Sequence, residues 1–130
     1  MRLKERDTTL IGMDQLKIES VPGAAPGTRI LRLNGPLTLL DVFDFQTAFR
    51  DGNDPVTIID LSDVPYMDSA ALGAIVGVHT SSERQHRRYA LVGVSDRLHT
   101  LFKVGGVDGI LVVYPTLAEA ENQLAAKTAN

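Results

Sequence analysis

The adjacent pair Asp68-Ser69 is the place in this sequence best suited to chemistry. It follows an apolar, β-branched run, Val56 to Leu61, and a loop carrying Asp63 and Pro65. The small residues Ala70 and Ala71 come next, then Leu72 and Gly73. That order reads as strand, loop and helix start, with Asp68 as the N-cap and Ser69 as the first helical residue. A hydroxyl there sits near unpaired backbone N–H groups and the positive end of the helix dipole. Helix N-termini tolerate anions, so a phosphate on Ser69 is locally acceptable. It adds roughly −1.5 to −2 charge units and three acceptor oxygens. A partner fitted to the bare hydroxyl is then repelled or blocked, and a hundredfold loss of affinity needs only about 2.8 kcal/mol. Ala70, Ala71 and Gly73 leave the helix start open to close approach. On the motif alone, the plainer reading that Asp-Ser is simply a good helix start stands beside this one.

Other constellations carry less. Asp60 ends an apolar strand, as a phosphoacceptor aspartate would, but that chemistry needs an acidic pair after the first strand and a lysine late in the sheet. Asn34-Gly35-Pro36 and Val113-Tyr114-Pro115 supply neither. His79 and His86 are seven apart, about 10.5 Å along a continuous helix. Ligands bound at about 2 Å cannot share an ion across that gap. His79 reads instead as a partly buried packing residue, and His86, beside Arg87 and Arg88, as a solvated helix end. No Gly-x-Ser-x-Gly elbow is present, and Ser69 has no base visible in the sequence. The Gly105-to-Gly109 segment follows a helix and lacks a phosphate-cradling arrangement. Without paired carboxylates or a nucleophile–base set, the chain reads as non-enzymatic, with no metal and no cofactor expected.

The elements that position Asp68-Ser69 follow from length and pattern. A chain of 130 residues is one domain by length and can bury a real core. Residues 1–13 are polar and aperiodic and read as a flexible leader, leaving 14–130 as the domain. There are no cysteines, which excludes disulfides and thiolate sites. Met1 to Thr9 is charged and does not read as a signal peptide. No segment approaches the ~20 apolar residues that span a bilayer. A net charge of −3 argues against nucleic acid as partner. A cytoplasmic protein with no direct membrane contact is the expectation.

Leu16 to Glu19 and Thr28 to Leu33 read as two strands around the turn-rich Pro22-to-Gly27 stretch; in the second, Arg29 and Arg32 alternate against Ile30, Leu31 and Leu33. Leu39 to Phe49 has helical spacing, with Thr38 or Asp41 as its cap. Val56 to Leu61 is a strand covered on both faces. A helix from about Ser69 to Gln85 sets Leu72, Ile75, Val76 and His79 on one stripe. Tyr89 to Val94 is the next strand. Ser95 then caps a helix with Leu98, Leu101, Phe102 and Val104 as its apolar set, stopped by Gly105-Gly106. Ile110 to Val113 is a fifth strand, and Thr116 caps a last helix with Leu117, Ala120, Leu124 and Ala125 apolar. The order ββαβαβαβα implies an α/β fold with a mixed, mostly parallel sheet of about five strands and about four helices.

The strand at Val56, the Leu-Ser-Asp-Val loop and Met67-Asp68-Ser69-x-x-Leu72-Gly73 together resemble the STAS family of anti-sigma factor antagonists. The similarity runs from roughly Leu16 to Glu121. It includes Ile30 to Gly35, Ser95-Asp96-Arg97-Leu98, Leu101-Phe102 and Gly105-Gly106-Val107. The resemblance implies a single STAS-like domain and a partner-switching cycle. The unphosphorylated protein binds an anti-sigma factor that is also a serine kinase of histidine-kinase-like ATPase type. That kinase phosphorylates the serine after the motif's aspartate, here Ser69, which breaks the complex, and a phosphatase resets it. The docking surface implied comprises Asp68, Ala70, Leu72 and Gly73, together with Thr38 and Leu39 in the turn after the second strand. Two departures from the family pattern are visible. Ala70-Ala71 stand where Ser or Thr and then Gly are usual, placing an added methyl where a kinase approaches. Gly35-Pro36-Leu37-Thr38 stands where Gly-Glu-Leu-Asp is usual. They motivate an alternative: a STAS scaffold or transporter-associated subunit that is not phosphorylated.

Overall fold

In the computed structural model, which describes residues 15–128, β1 (Lys17–Pro22) pairs antiparallel with β2 (Thr28–Asn34). The leader expected at 1–13 lies outside the described residues. Strands β2, β3 (Val56–Asp63), β4 (Arg88–Val92) and β5 (Val113–Tyr114) run parallel, and the sheet order is β1-β2-β3-β4-β5. A 3-10 turn, Leu39–Asp41, leads into α1 (Val42–Arg50). Helix α2 (Ser69–Arg84) joins β3 to β4, α3 (Asp96–Val104) joins β4 to β5, and α4 (Leu117–Thr128) follows β5.

Each parallel strand is added on the same side of its predecessor, so right-handed crossovers must put α1, α2 and α3 on one face. The packing follows: Leu31, Leu33, Ile59, Leu61 and Leu91 meet Phe45, Phe49, Ile75, Val78, Leu98 and Phe102 in one core. Helix α4 covers the other face, where Ala120 and Leu124 meet Ile30, Val56, Ile58, Ala90 and Val92. This two-sided cover is why β3 is apolar almost throughout. The strand order never reverses, so the sheet has no crevice of the kind that holds nucleotides in doubly wound folds. What its carboxyl edge presents instead is a set of loops, at 35–38, 64–68 and 93–95.

Several elements differ from the sequence expectation. Arg29 is buried, not turned outward. Its Nη1 donates to the Ala48 carbonyl at 2.9 Å and its Nη2 to the Phe49 carbonyl at 2.8 Å. The guanidinium thus closes the C-terminal end of α1, where orphan carbonyls and the dipole both favour a cation. Burial lowers its pKa, while Asp54 and Asp51 oppose that shift. Strand β5 is later and shorter than Ile110 to Val113, because residues 107–111 close a helical turn with Ile110 N–H and Leu111 N–H both donating to the Val107 carbonyl. The segment from Leu39 is not one helix. Thr38 and Asp41 form a capping box around the 3-10 turn, and the Asp41 side chain makes no cap bond to α1. In α2 the buried set is Ala71, Leu72, Ala74, Ile75, Val78 and Ser82, with Val76 and His79 only half-buried at its margin. Val104 is exposed, outside the apolar set expected for α3, and Ala125 is exposed on α4.

Helix α2 ends in a left-handed residue, His86 at φ 57°. His86 N–H donates to the Glu83 carbonyl and Arg87 N–H to the Ser82 carbonyl at 2.8 Å, the paired bonds of a Schellman motif. A histidine occupies the position that glycine usually takes.

Candidate functional site

The loops after β2 and β3 are laced together along the carboxyl edge of the sheet. Gly35 N–H donates to the Asp63 carbonyl, Leu37 N–H to the Tyr66 carbonyl at 3.1 Å, and Asp68 N–H back to the Leu37 carbonyl at 3.3 Å. Leu37 and Met67 form a parallel bridge, and both are buried. Gly35 is required here: its φ is +120°, and an added Cβ would lie 2.9 Å from the Gln15 carbonyl oxygen.

Asp68 completes the join. Its Oδ1 accepts the Ala71 N–H at 2.9 Å, capping α2. Its Oδ2 accepts the Leu39 N–H, also at 2.9 Å, capping the start of the 3-10 turn. Those donors, Ala71 first and then Leu39, hold its carboxyl below the usual carboxylate range. Both oxygens are engaged by backbone, so the group orients the surface more than it reaches outward.

Ser69 is the first residue of α2 and is exposed. Its hydroxyl makes no hydrogen bond among the described residues. The arrangement offers an accessible oxygen at a helix start, with no base among the described residues hydrogen-bonded to it and the neighbouring Asp68 carboxylate already occupied by backbone. Such an oxygen can accept a group delivered by another protein; it is not built to attack anything unaided. Arg97 of α3 stacks over the Tyr66 ring at 5.8 Å, forming one wall of a cleft of about 450 Å³ with Met67, Leu98, Leu101 and Val104.

The residues expected to form a docking surface divide. Leu39 is exposed, and Ala70, Thr38 and Asp68 are half-exposed. Gly73 is exposed with open space above it. Leu72 is not a surface residue: it is buried beneath α3, and a Cβ on Gly105 would fall 2.7 Å from its Cδ2. The methyl of Ala71 is also fully buried, so it points into the core and not onto the surface beside Ser69. Two exposed residues escape the sequence reading, Leu40 and Phe43. The signal is present in hindsight: Leu39, Leu40, Val42, Phe43, Phe45 and Phe49 are more large apolar side chains than one face of so short a helix can bury. His79 belongs elsewhere, bonded to Tyr89 near the far end of α2.

The STAS domain family model matches residues 18–120. An anti-sigma-B factor antagonist of Listeria monocytogenes is 42% identical over 55 residues, which cover 42% of this chain and 48% of that protein. The chain therefore spans about half the length of that curated relative. The crystal structure of an anti-sigma factor antagonist from Mycobacterium paratuberculosis has a TM-score of 0.72 at 18% identity, covering 85% of this chain and 95% of that one. A sulfate transporter family protein from Wolinella succinogenes has a TM-score of 0.64 at 23% identity, covering 79% and 90%. These two likenesses show the fold. With the family match running from β1 into α4 and the five-stranded mixed sheet behind it, the chain belongs to the STAS domain family.

Proposed function

We propose that this protein is an anti-sigma factor antagonist switched by phosphorylation of Ser69. Unphosphorylated, it binds an anti-sigma factor that is a serine kinase of histidine-kinase-like ATPase type. The kinase transfers the γ-phosphoryl group of ATP to Ser69 Oγ: the new P–O bond replaces the one to ADP, and the hydroxyl proton leaves to a base that the kinase supplies. A phosphatase removes the group and restores binding. The observation that carries this reading is the exposed, unbonded Ser69 hydroxyl on the first residue of α2, next to a carboxylate already committed to backbone. A dianion there places new charge and bulk where the partner met a small neutral group. The inward-pointing Ala71 methyl leaves that approach clear. A cytoplasmic setting, where ATP and the kinase are present, goes with this proposal; no helix among the described residues is long and apolar enough to cross a membrane.

Incubation with the cognate kinase and ATP, followed by mass spectrometry, tests it. One phosphate on Ser69 and weakened binding by Ser69→Asp are expected. No phosphate on Ser69 together with undiminished binding by Ser69→Asp sinks it. The second reading, a STAS scaffold or transporter-associated subunit that is not phosphorylated, is favoured by the turn at Gly35-Pro36-Leu37-Thr38, which carries no acid, and by the transporter-family relative of the same fold. Recovery with a membrane transporter, and not with a histidine-kinase-like ATPase, decides for that reading.

A further inference from the structure

We propose that Leu39, Leu40 and Phe43 form the apolar half of the docking face and seat in an apolar cleft of the anti-sigma partner bordered by lysine or arginine. The inference rests on the antagonist reading and adds to it the chemistry of the contact.

Three large apolar side chains within five residues are 66%, 89% and 71% exposed. Single exposed apolar residues are ordinary, but a cluster of this kind marks a contact surface. This chain's own core does not need them: Phe45 and Phe49 fill the buried stripe of α1, and Val42 packs at its margin. The cluster is also firmly mounted. The Thr38–Asp41 capping box fixes the turn, and the Leu39 N–H bond to Asp68 ties it to the residue before Ser69. The Leu39 end of the patch is thus tied to the residue before the hydroxyl, while Phe43 borders the groove between α1 and β1 with Leu16 and Ile18, so a partner that covers both must reach across the start of α1.

Charge identifies the kind of partner. Between Arg32 and Arg84 the sequence has a single cation, Arg50, at the far end of α1. Asp44 beside the patch and Asp63 on the edge laced to it are exposed, whereas Asp41 and Asp68 have their carboxylates engaged by Thr38, Leu39 and Ala71, and Arg97 stands over Tyr66 farther along the edge. A second copy of this chain would set these acids against themselves, whereas a cleft with a basic border meets them favourably. The two halves then have separate tasks: the α1 half holds the partner, and the α2 start decides whether it stays.

The experiment measures, by calorimetry, binding of the full chain to the purified anti-sigma kinase of the same organism with ADP. Leu40→Ser/Phe43→Ser is compared with wild type and with Ile110→Ser, a matched change at an exposed apolar residue away from the patch. Circular dichroism melts check that each variant folds. The double variant is expected to bind roughly 30-fold or more weakly and Ile110→Ser within about twofold of wild type. Wild-type binding is expected to weaken as salt rises from about 0.1 M, where screening acts over about 10 Å, to about 1 M, where it acts over about 3 Å. If wild type is phosphorylated on Ser69 while the double variant binds and is phosphorylated equally well, the docking proposal fails and the switch stands. If the double variant loses binding but wild type never takes phosphate, the switch fails and the docking face stands. Binding insensitive to salt overturns the basic border. A wild-type dimer in sedimentation that the double variant abolishes makes the occupant a second copy and overturns the proposal. Absence of any wild-type binding removes both readings.

Discussion

Asp68 and Leu39, 29 positions apart in the chain, are joined by a 2.9 Å bond from the Leu39 N–H to the carboxylate that also caps α2. One side chain thereby serves the N-termini of two elements, and the angle between the turn at Leu39 and the helix at Ser69 depends on it.

Replacing Asp68 separates the two bonds. Asp68→Ala loses both and is expected to lower the unfolding free energy by about 0.5–2 kcal/mol, the range for a lost N-cap. Asp68→Asn keeps one side-chain acceptor oxygen and falls between. Amide exchange at Leu39 and Ala71, read by NMR, rises in Asp68→Ala; unchanged protection at Leu39 would show that the turn is held by other contacts.

The same carboxylate sets an acid limit. Its pKa is lowered in the folded state by the Ala71 and Leu39 N–H donors. Its contribution to stability is therefore complete above the unfolded value, about 3.9. It fades as pH falls below that value and is lost once pH has passed through the folded one. Urea melts from neutral pH downward should show the gap between wild type and Asp68→Asn narrowing only below about pH 4. A gap that narrows near neutrality would point to a different group.

At the other end of α2, the Tyr89 hydroxyl accepts the Val112 N–H at 3.0 Å and lies 2.8 Å from His79 Nδ1. A phenol that donates to Nδ1 requires the ring proton of His79 on Nε2, which lies 3.5 Å from Glu83. Burial raises the Tyr89 pKa and keeps the phenol protonated. Tyr89→Phe leaves the Val112 amide and Nδ1 without their partner and should cost about 1–3 kcal/mol in denaturant unfolding. A change below a few tenths would mean that water replaces the hydroxyl without loss.

His86 is expected to be improvable. A left-handed L-residue carries a penalty of roughly 1–2 kcal/mol. Glycine removes it at an entropic cost of about 0.5–1 kcal/mol. His86→Gly should therefore raise stability by up to about 1 kcal/mol and the Tm by a few degrees. A lower Tm would show that the imidazole makes a compensating contact at the helix end.

Where chemistry is local, the sequence is readable. Asp68 before small residues, Ser95 before Leu98 and Thr116 before Glu119 each cap a helix through a bond spanning three residues. The β-branched run at Val56 announces a strand covered twice. Long-range partners are what the pattern hides. Arg29 looks like an outward residue until the end of α1 is laid across it, about twenty positions later. Leu72 looks like part of an open helix start until Gly105 closes over it. Leu40 and Phe43 have the spacing of core residues, and only the completed packing of Phe45 and Phe49 shows that no room remains for them.

The sheet's margins carry a last consequence. Strand β5 has two residues, and β1 at the opposite side carries Lys17 and Glu19 and ends in Pro22, which has no N–H to give. Short or charged margins discourage a foreign strand from zipping onto the backbone. Copies crowded together should thus not pair strand to strand into extended ribbons.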